Sequence, residues 1–164
     1  MRHDLFPTPF WRIEGAPFVE ELYQGAYKFK EKYPSANKSN KGGYQTPDFK
    51  WKDFHPEGKE YIEKIINDIL KDFKVNGWWY NINGKGHWNI PHTHPGSDFA
   101  LVWYITDSDS LLKLMNPFSQ RRTGFEDLDS NRVVMAKKGD IVLFPSDIVP
   151  VSYTHLTLPT NREV

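Results

Sequence analysis

The sequence predicts a mostly β fold with flanking helices, its strands forming an antiparallel sheet pair, barrel or jelly roll. The first observation behind this is a change of hydrophobic period at Gly77, from three and four residues before it to two after it. The second is that the later apolar segments are short, aromatic or β-branched, and separated by Gly, Asn, Asp or Pro, the composition of strands and their turns. The third is size: 164 residues, 15% of them aromatic, suffice for one domain with a substantial core.

Taken in order, Phe18, Leu22, Ala26, Phe29 and Tyr33 recur as one face of a helix requires, with Gly25 the one poor helix former among them. Pro34 to Pro47 is polar and Gly-rich. Glu57 to Phe73 then carries Tyr61, Ile65, Ile69 and Phe73 on one stripe, widened by Ile62, Ile66 and Leu70, and predicts a second amphipathic helix. Strands are predicted over Trp78 to Ile82, Trp88 to His92, Phe99 to Ile105, Leu111 to Met115, Arg132 to Lys137 and Asp140 to Phe144. Lys137-Lys138-Gly139-Asp140 reads as a tight turn between the last two, with the Asp140 carboxylate accepting backbone N–H groups. The expected organisation is a single domain over 1–149, with helical support over about 16–73 and a β core over about 78–149.

Lys plus Arg balances Asp plus Glu at 21 each, so no global charge steers the chain to nucleic acid or an anionic membrane. The group Trp78, Trp79, Trp88 and Trp103 reads as packing rather than as a base-stacking platform, because no basic groove accompanies it. No apolar stretch approaches the roughly twenty residues that span a bilayer, and no secretory apolar core follows Met1-Arg2-His3-Asp4. The absence of cysteine rules out disulfides and fits a reducing, cytoplasmic location.

The chemistry concentrates in Asn89-Ile90-Pro91-His92-Thr93-His94-Pro95-Gly96-Ser97. On an extended backbone side chains alternate with period two, so His92 and His94 point the same way and can share a cation. Two neutral imidazoles suit iron, zinc, manganese, copper or nickel alike. The plainer alternative has His94 opening a Pro-Gly turn and His92 hydrogen-bonding within a polar surface. His87 is read as a rim residue, His55 and His3 as structural or exposed, and Asp98 and Asp140 are left outside the ligand set. A zinc hydrolase is disfavoured, since no Glu neighbours the pair as a general base.

Residues 150 to 164 are expected to be a non-native tail. Val151 to Thr160, back-translated as GTC TCT TAT ACA CAT CTG ACG CTG CCG ACG, resembles a transposon-end adapter of sequencing libraries read through as coding sequence. The adapter would begin with CT ahead of GTC, so the Pro150 codon would keep one native base, a C, which also begins the histidine codons. The competing expectation is a genuine strand and turn in which His155 is a surface residue.

The chain resembles the small 2-oxoglutarate- and Fe(II)-dependent oxygenases of marine bacteria and phages, related in fold to prolyl hydroxylases. The resemblance rests on Leu5-Phe6-Pro7-Thr8-Pro9-Phe10-Trp11, on Ser39-Asn40-Lys41-Gly42-Gly43-Tyr44-Gln45, on Trp79 to Asn83 followed by the histidine segment, and on Phe144-Pro145-Ser146. It covers roughly residues 5 to 149. It implies a double-stranded β-helix (jelly roll, cupin-like), incomplete at the C-terminus, with iron at its mouth and 2-oxoglutarate as co-substrate. His92 would be the proximal metal ligand, His94 would stand where more distant relatives place Asp, and Asn89, Tyr80 and Tyr104 are candidates to orient co-substrate. The family's distal histidine after Phe144-Pro145-Ser146, and the basic residue that pairs with 2-oxoglutarate, have no counterpart here, so the implied hydroxylase-type activity on an organic or peptidyl substrate is expected to be impaired. The alternative is a noncatalytic metal-binding or structural β-barrel, and the sequence does not speak to oligomeric state.

Overall fold

The computed structural model describes residues 8–36, 38–107, 110–116 and 131–154, without the side chains of Ser110, Tyr153 and Thr154. His3, His155, the loop Phe118 to Ser130 and the tail beyond Thr154 lie outside the described residues. Strand β1 (Trp11–Ile13) precedes helix α1 (Val19–Lys32), followed by the short strands β2 (Asn40–Lys41), β3 (Tyr44–Gln45) and β4 (Phe49–Lys50) and a 3-10 turn at Trp51–Asp53. Helix α2 (Pro56–Leu70) leads into β5 (Gly77–Trp78), β6 (Asn81–Ile82), β7 (Trp88–Asn89), β8 (Phe99–Trp103), β9 (Ser110–Met115), β10 (Asn131–Met135), β11 (Ile141–Pro145) and β12 (Val149–Thr154).

Both predicted helices form. α1 buries Leu22 and Ala26. α2 starts at Pro56, where a missing N–H costs nothing, and is capped by His55, whose Nδ1 accepts from the Gly58 N–H at 3.2 Å. The segment expected to be purely helical support also contains β2, β3 and β4, whose two-residue lengths leave no periodic trace in the sequence.

The expected jelly roll is not what the strands build. Among the described residues they form four separate antiparallel sheets, in the orders β1-β11-β8, β10-β9-β12-β7-β2, β3-β6 and β4-β5, none closed into a barrel, beside two helices, a mixed α/β arrangement. Closure requires each ladder to hand its hydrogen bonds on to the next around the whole ring. Here β2 to β7 are two residues each, cut by Gly42-Gly43, by Trp79-Tyr80 and by the turn around Gly86, too short to carry curvature across the gaps. The last strand passes residue 149: β12 runs to Thr154, pairing with β9 (Val151↔Lys113) and with β7 (Ser152↔Asn89). Its slot is the middle of the five-stranded sheet.

Side-chain parity defines the layers. Val142 and Phe144 of β11, with Ala100 and Val102 of β8, pack against Leu112, Leu114 and Val134 of the larger sheet. Ile141, Ile13, Leu101 and Trp103 point the other way, onto Ile62 and Ile66 of α2. Ile141, Val142, Leu143 and Phe144 are all at most 2% exposed, so β11 is the strand covered on both faces. The turn before it forms as expected: Gly139 takes φ 88, and the Asp140 carboxylate accepts the Lys137 N–H at 2.7 Å and Arg12 Nη2 at 2.6 Å. Among the described residues no helix is long and apolar enough to cross a membrane.

Candidate metal centre

The histidine segment leaves the ladder after Asn89, so His92 and His94 stand on a loop rather than on the expected strand. Pro91 and Pro95 offer no backbone donors, and Gly96 turns the chain at φ 84. The two rings nevertheless meet, with centroids 4.8 Å apart and planes at 73°. The loop is strapped to the turn between β11 and β12: His94 N donates to Ser146 O at 3.1 Å, Ser146 N donates to Asp98 O at 3.0 Å, and the Ser146 hydroxyl donates to Ser97 O.

Each imidazole has a neighbour that sets its state. His92 Nδ1 lies 2.7 Å from Ile90 O, a contact that requires the proton on Nδ1 and leaves the Nε2 lone pair available. The His94 ring is stacked by Trp79, centroids 5.6 Å apart at 29°. Burial, and secondarily the His92 ring, lowers the His94 pKa, which favours the neutral, metal-binding form. The donor chemistry therefore fits two coordination positions of a borderline divalent ion. Among the described residues no group of three or more His, Cys, Asp or Glu side chains comes together, so the pair has no third partner there. Asp140 is committed to Arg12, and the Asp98 side chain is exposed.

The residues proposed to orient co-substrate are dispersed. Asn89 is buried at the end of β7, donating from Nδ2 to Ser39 Oγ at 3.2 Å and accepting from Asn83 Nδ2 at 3.0 Å. Tyr80 lies against Phe29 of α1 and Trp78, with centroids 5.9 and 5.1 Å away, and burial pushes its hydroxyl up to about 12. Tyr104 follows β8 at the end remote from the histidines, roughly 20 Å of extended chain from Asp98, where its backbone bonds to Gly139 and Asp140. Burial, then the Asp140 charge, raises its pKa. His87 accepts the Gly84 N–H at 2.9 Å and lies over Gly42.

Three features escape a reading of the sequence. Trp79 is a wall of the pair, foreshadowed only by its odd position between Trp78 and Tyr80. Ser146 anchors the loop. Asn40 ties the Gly42-Gly43 hairpin to Asn83 at 2.6 Å and accepts the Gly43 N–H at 3.0 Å, a junction the sequence shows only as an Asn-rich neighbourhood.

Compared with known proteins, the chain is similar to the crystal structure of a Pseudomonas putida prolyl-4-hydroxylase, with a TM-score of 0.60 over 90% of this chain and 85% of that one, at 14% sequence identity. That likeness is one of fold. No family model and no curated protein sequence matches the chain.

Proposed function

We propose that this chain is the body of an Fe(II)- and 2-oxoglutarate-dependent oxygenase of hydroxylase type acting on an organic or peptidyl substrate, with His92 and His94 as two of its three metal ligands. The observation that carries the reading is the ring pair itself: two imidazoles in contact, one with its tautomer set by Ile90 O, on a loop held to the β11–β12 turn. The similarity to a prolyl-4-hydroxylase fold supports it. Bound iron supplies oxygen activation coupled to decarboxylation of 2-oxoglutarate; the chain's own part is to present the nitrogen donors and keep His94 neutral. Asn89, nearest in sequence to the pair, is the candidate we retain for orienting co-substrate.

The third donor belongs at position 150, in place of the first residue of the proposed foreign tail. Position 150 lies four residues beyond Ser146, whose backbone and hydroxyl hold the histidine loop through His94 N, Asp98 O and Ser97 O. Metal titration of wild type, H92A, H94A and P150H tests this directly. We expect weak binding by wild type, weaker binding by either alanine variant, and at least roughly tenfold tighter binding by P150H. Four equal affinities would defeat the assignment.

The absence of a third donor among the described residues also supports a second reading, a noncatalytic metal-binding protein. A P150H protein that gains metal affinity but never consumes 2-oxoglutarate would favour it.

A further inference from the structure

Trp79 occupies the break between β5 and β6, and its two neighbours fix where it must go. Trp78 is buried, its ring 5.3 Å from Phe29 and 5.0 Å from Phe49, and its indole N–H donates to Lys50 O at 3.1 Å. Tyr80 packs on the same side, toward α1, and its backbone is clamped to Thr46 by two bonds: Tyr80 N donates to Thr46 Oγ1 at 2.9 Å, and Thr46 N donates to Tyr80 O at 3.0 Å. Thr46 is itself fully buried. In an extended run alternate side chains take opposite faces, so anchoring 78 and 80 toward the helix projects 79 away from it. On that face it meets the His94 ring nearly in parallel, while remaining 37% exposed.

His92 has a hydrogen bond to Ile90 O to orient its ring, whereas the contacts described for the His94 ring are aromatic: the His92 ring at 4.8 Å and the Trp79 face at 5.6 Å. From this asymmetry we infer that Trp79 is the positioning residue for His94: an aromatic wall that holds the imidazole plane and covers one face of that ring. The inference rests on the metal-binding reading above. It assigns Trp79 no contact with the ion.

Nickel(II) alone serves as the probe. W79A is expected to bind Ni(II) roughly tenfold more weakly than wild type, the low end of the range lost with other ligand-supporting residues. W79F, which restores an aromatic face, should recover most of that affinity while showing less Ni(II)-induced quenching of tryptophan fluorescence than the quenching expected of wild type. In an H94A background the W79A change should have no further effect on affinity. W88A, which removes another partly exposed indole, is the control and should keep wild-type affinity. A metal-free arm tests the positioning itself: by NMR the His94 ring protons should be displaced upfield in wild type by the indole ring current, and return in W79A. If W79A binds Ni(II) like wild type, the inference fails and the metal site stands. If no variant binds Ni(II) but the ring-current displacement is present, the metal reading fails while Trp79 still holds the His94 ring. If the displacement is absent, the inference is overturned outright.

Discussion

At single positions, close contacts decide what substitution costs. A Cβ at Gly43 would lie 2.5 Å from Asn83 Oδ1, 2.6 Å from Ile82 O and 2.7 Å from Asn40 Oδ1, so G43A must push apart the junction that carries β2 and β6. We expect a loss of about 2 kcal/mol or more, read from urea unfolding. Arg12 donates to the buried Asp140 carboxylate from Nε at 3.1 Å and Nη2 at 2.6 Å. Removing it strands that charge, and because Arg12 is partly exposed and the Lys137 N–H remains, R12A should cost about 2 kcal/mol rather than the larger penalty of a fully enclosed pair. Tyr80 makes a pH prediction. Burial raises its pKa from 10.0 to about 12, so above pH 10 the unfolded chain loses this proton first and stability falls as pH rises, the contribution being complete below pH 10 and lost through about pH 12. The urea midpoint should therefore drop between pH 9 and 11 in wild type and drop less in Y80F; identical slopes would remove Tyr80 from the account.

Among elements, those with long periodic patterns were legible before the structure and those made by partners were not. α2 announces itself through Ile62, Ile66 and their neighbours, ending three residues earlier than its pattern predicts, and β8, β9, β10 and β11 through alternation, with ends displaced by a residue or two. β1, β2, β3 and β4 are two or three residues each and exist because β11, β7, β6 and β5 pair with them, a non-local fact that no local period encodes. The site divides the same way. The spacing of His92 and His94 is visible in the sequence, but their meeting on a loop, the Trp79 wall and the Ser146 strap depend on chain segments brought together by folding. One element end is strained: Lys71, the C-cap of α2, holds φ 51 and ψ 151, a region that suits glycine. K71G should raise stability by about 1 kcal/mol, with a higher melting temperature as the check.

For the whole molecule, the decisive element is β12. The proposal that residues from 150 onward are foreign to the parental gene concerns their origin; ladder hydrogen bonds are indifferent to origin, and Val151 is 2% exposed within the strand. Deleting residues 151–164 should therefore cost roughly 3 kcal/mol or more, the reverse of the unchanged melting temperature expected if the strand ended at Val149. The position of β12 also governs when the protein can fold. β9 and β7 have no ladder to each other; each pairs with β12, and β12 is made after both. During synthesis the two strands must wait, bare along the edges that face one another, until residue 154 has left the ribosome. The sheet thus closes late and from its centre, by inserting a strand between two already waiting, and until then its two unpaired edges are open to pairing with another extended segment, such as the same strand from a neighbouring nascent chain.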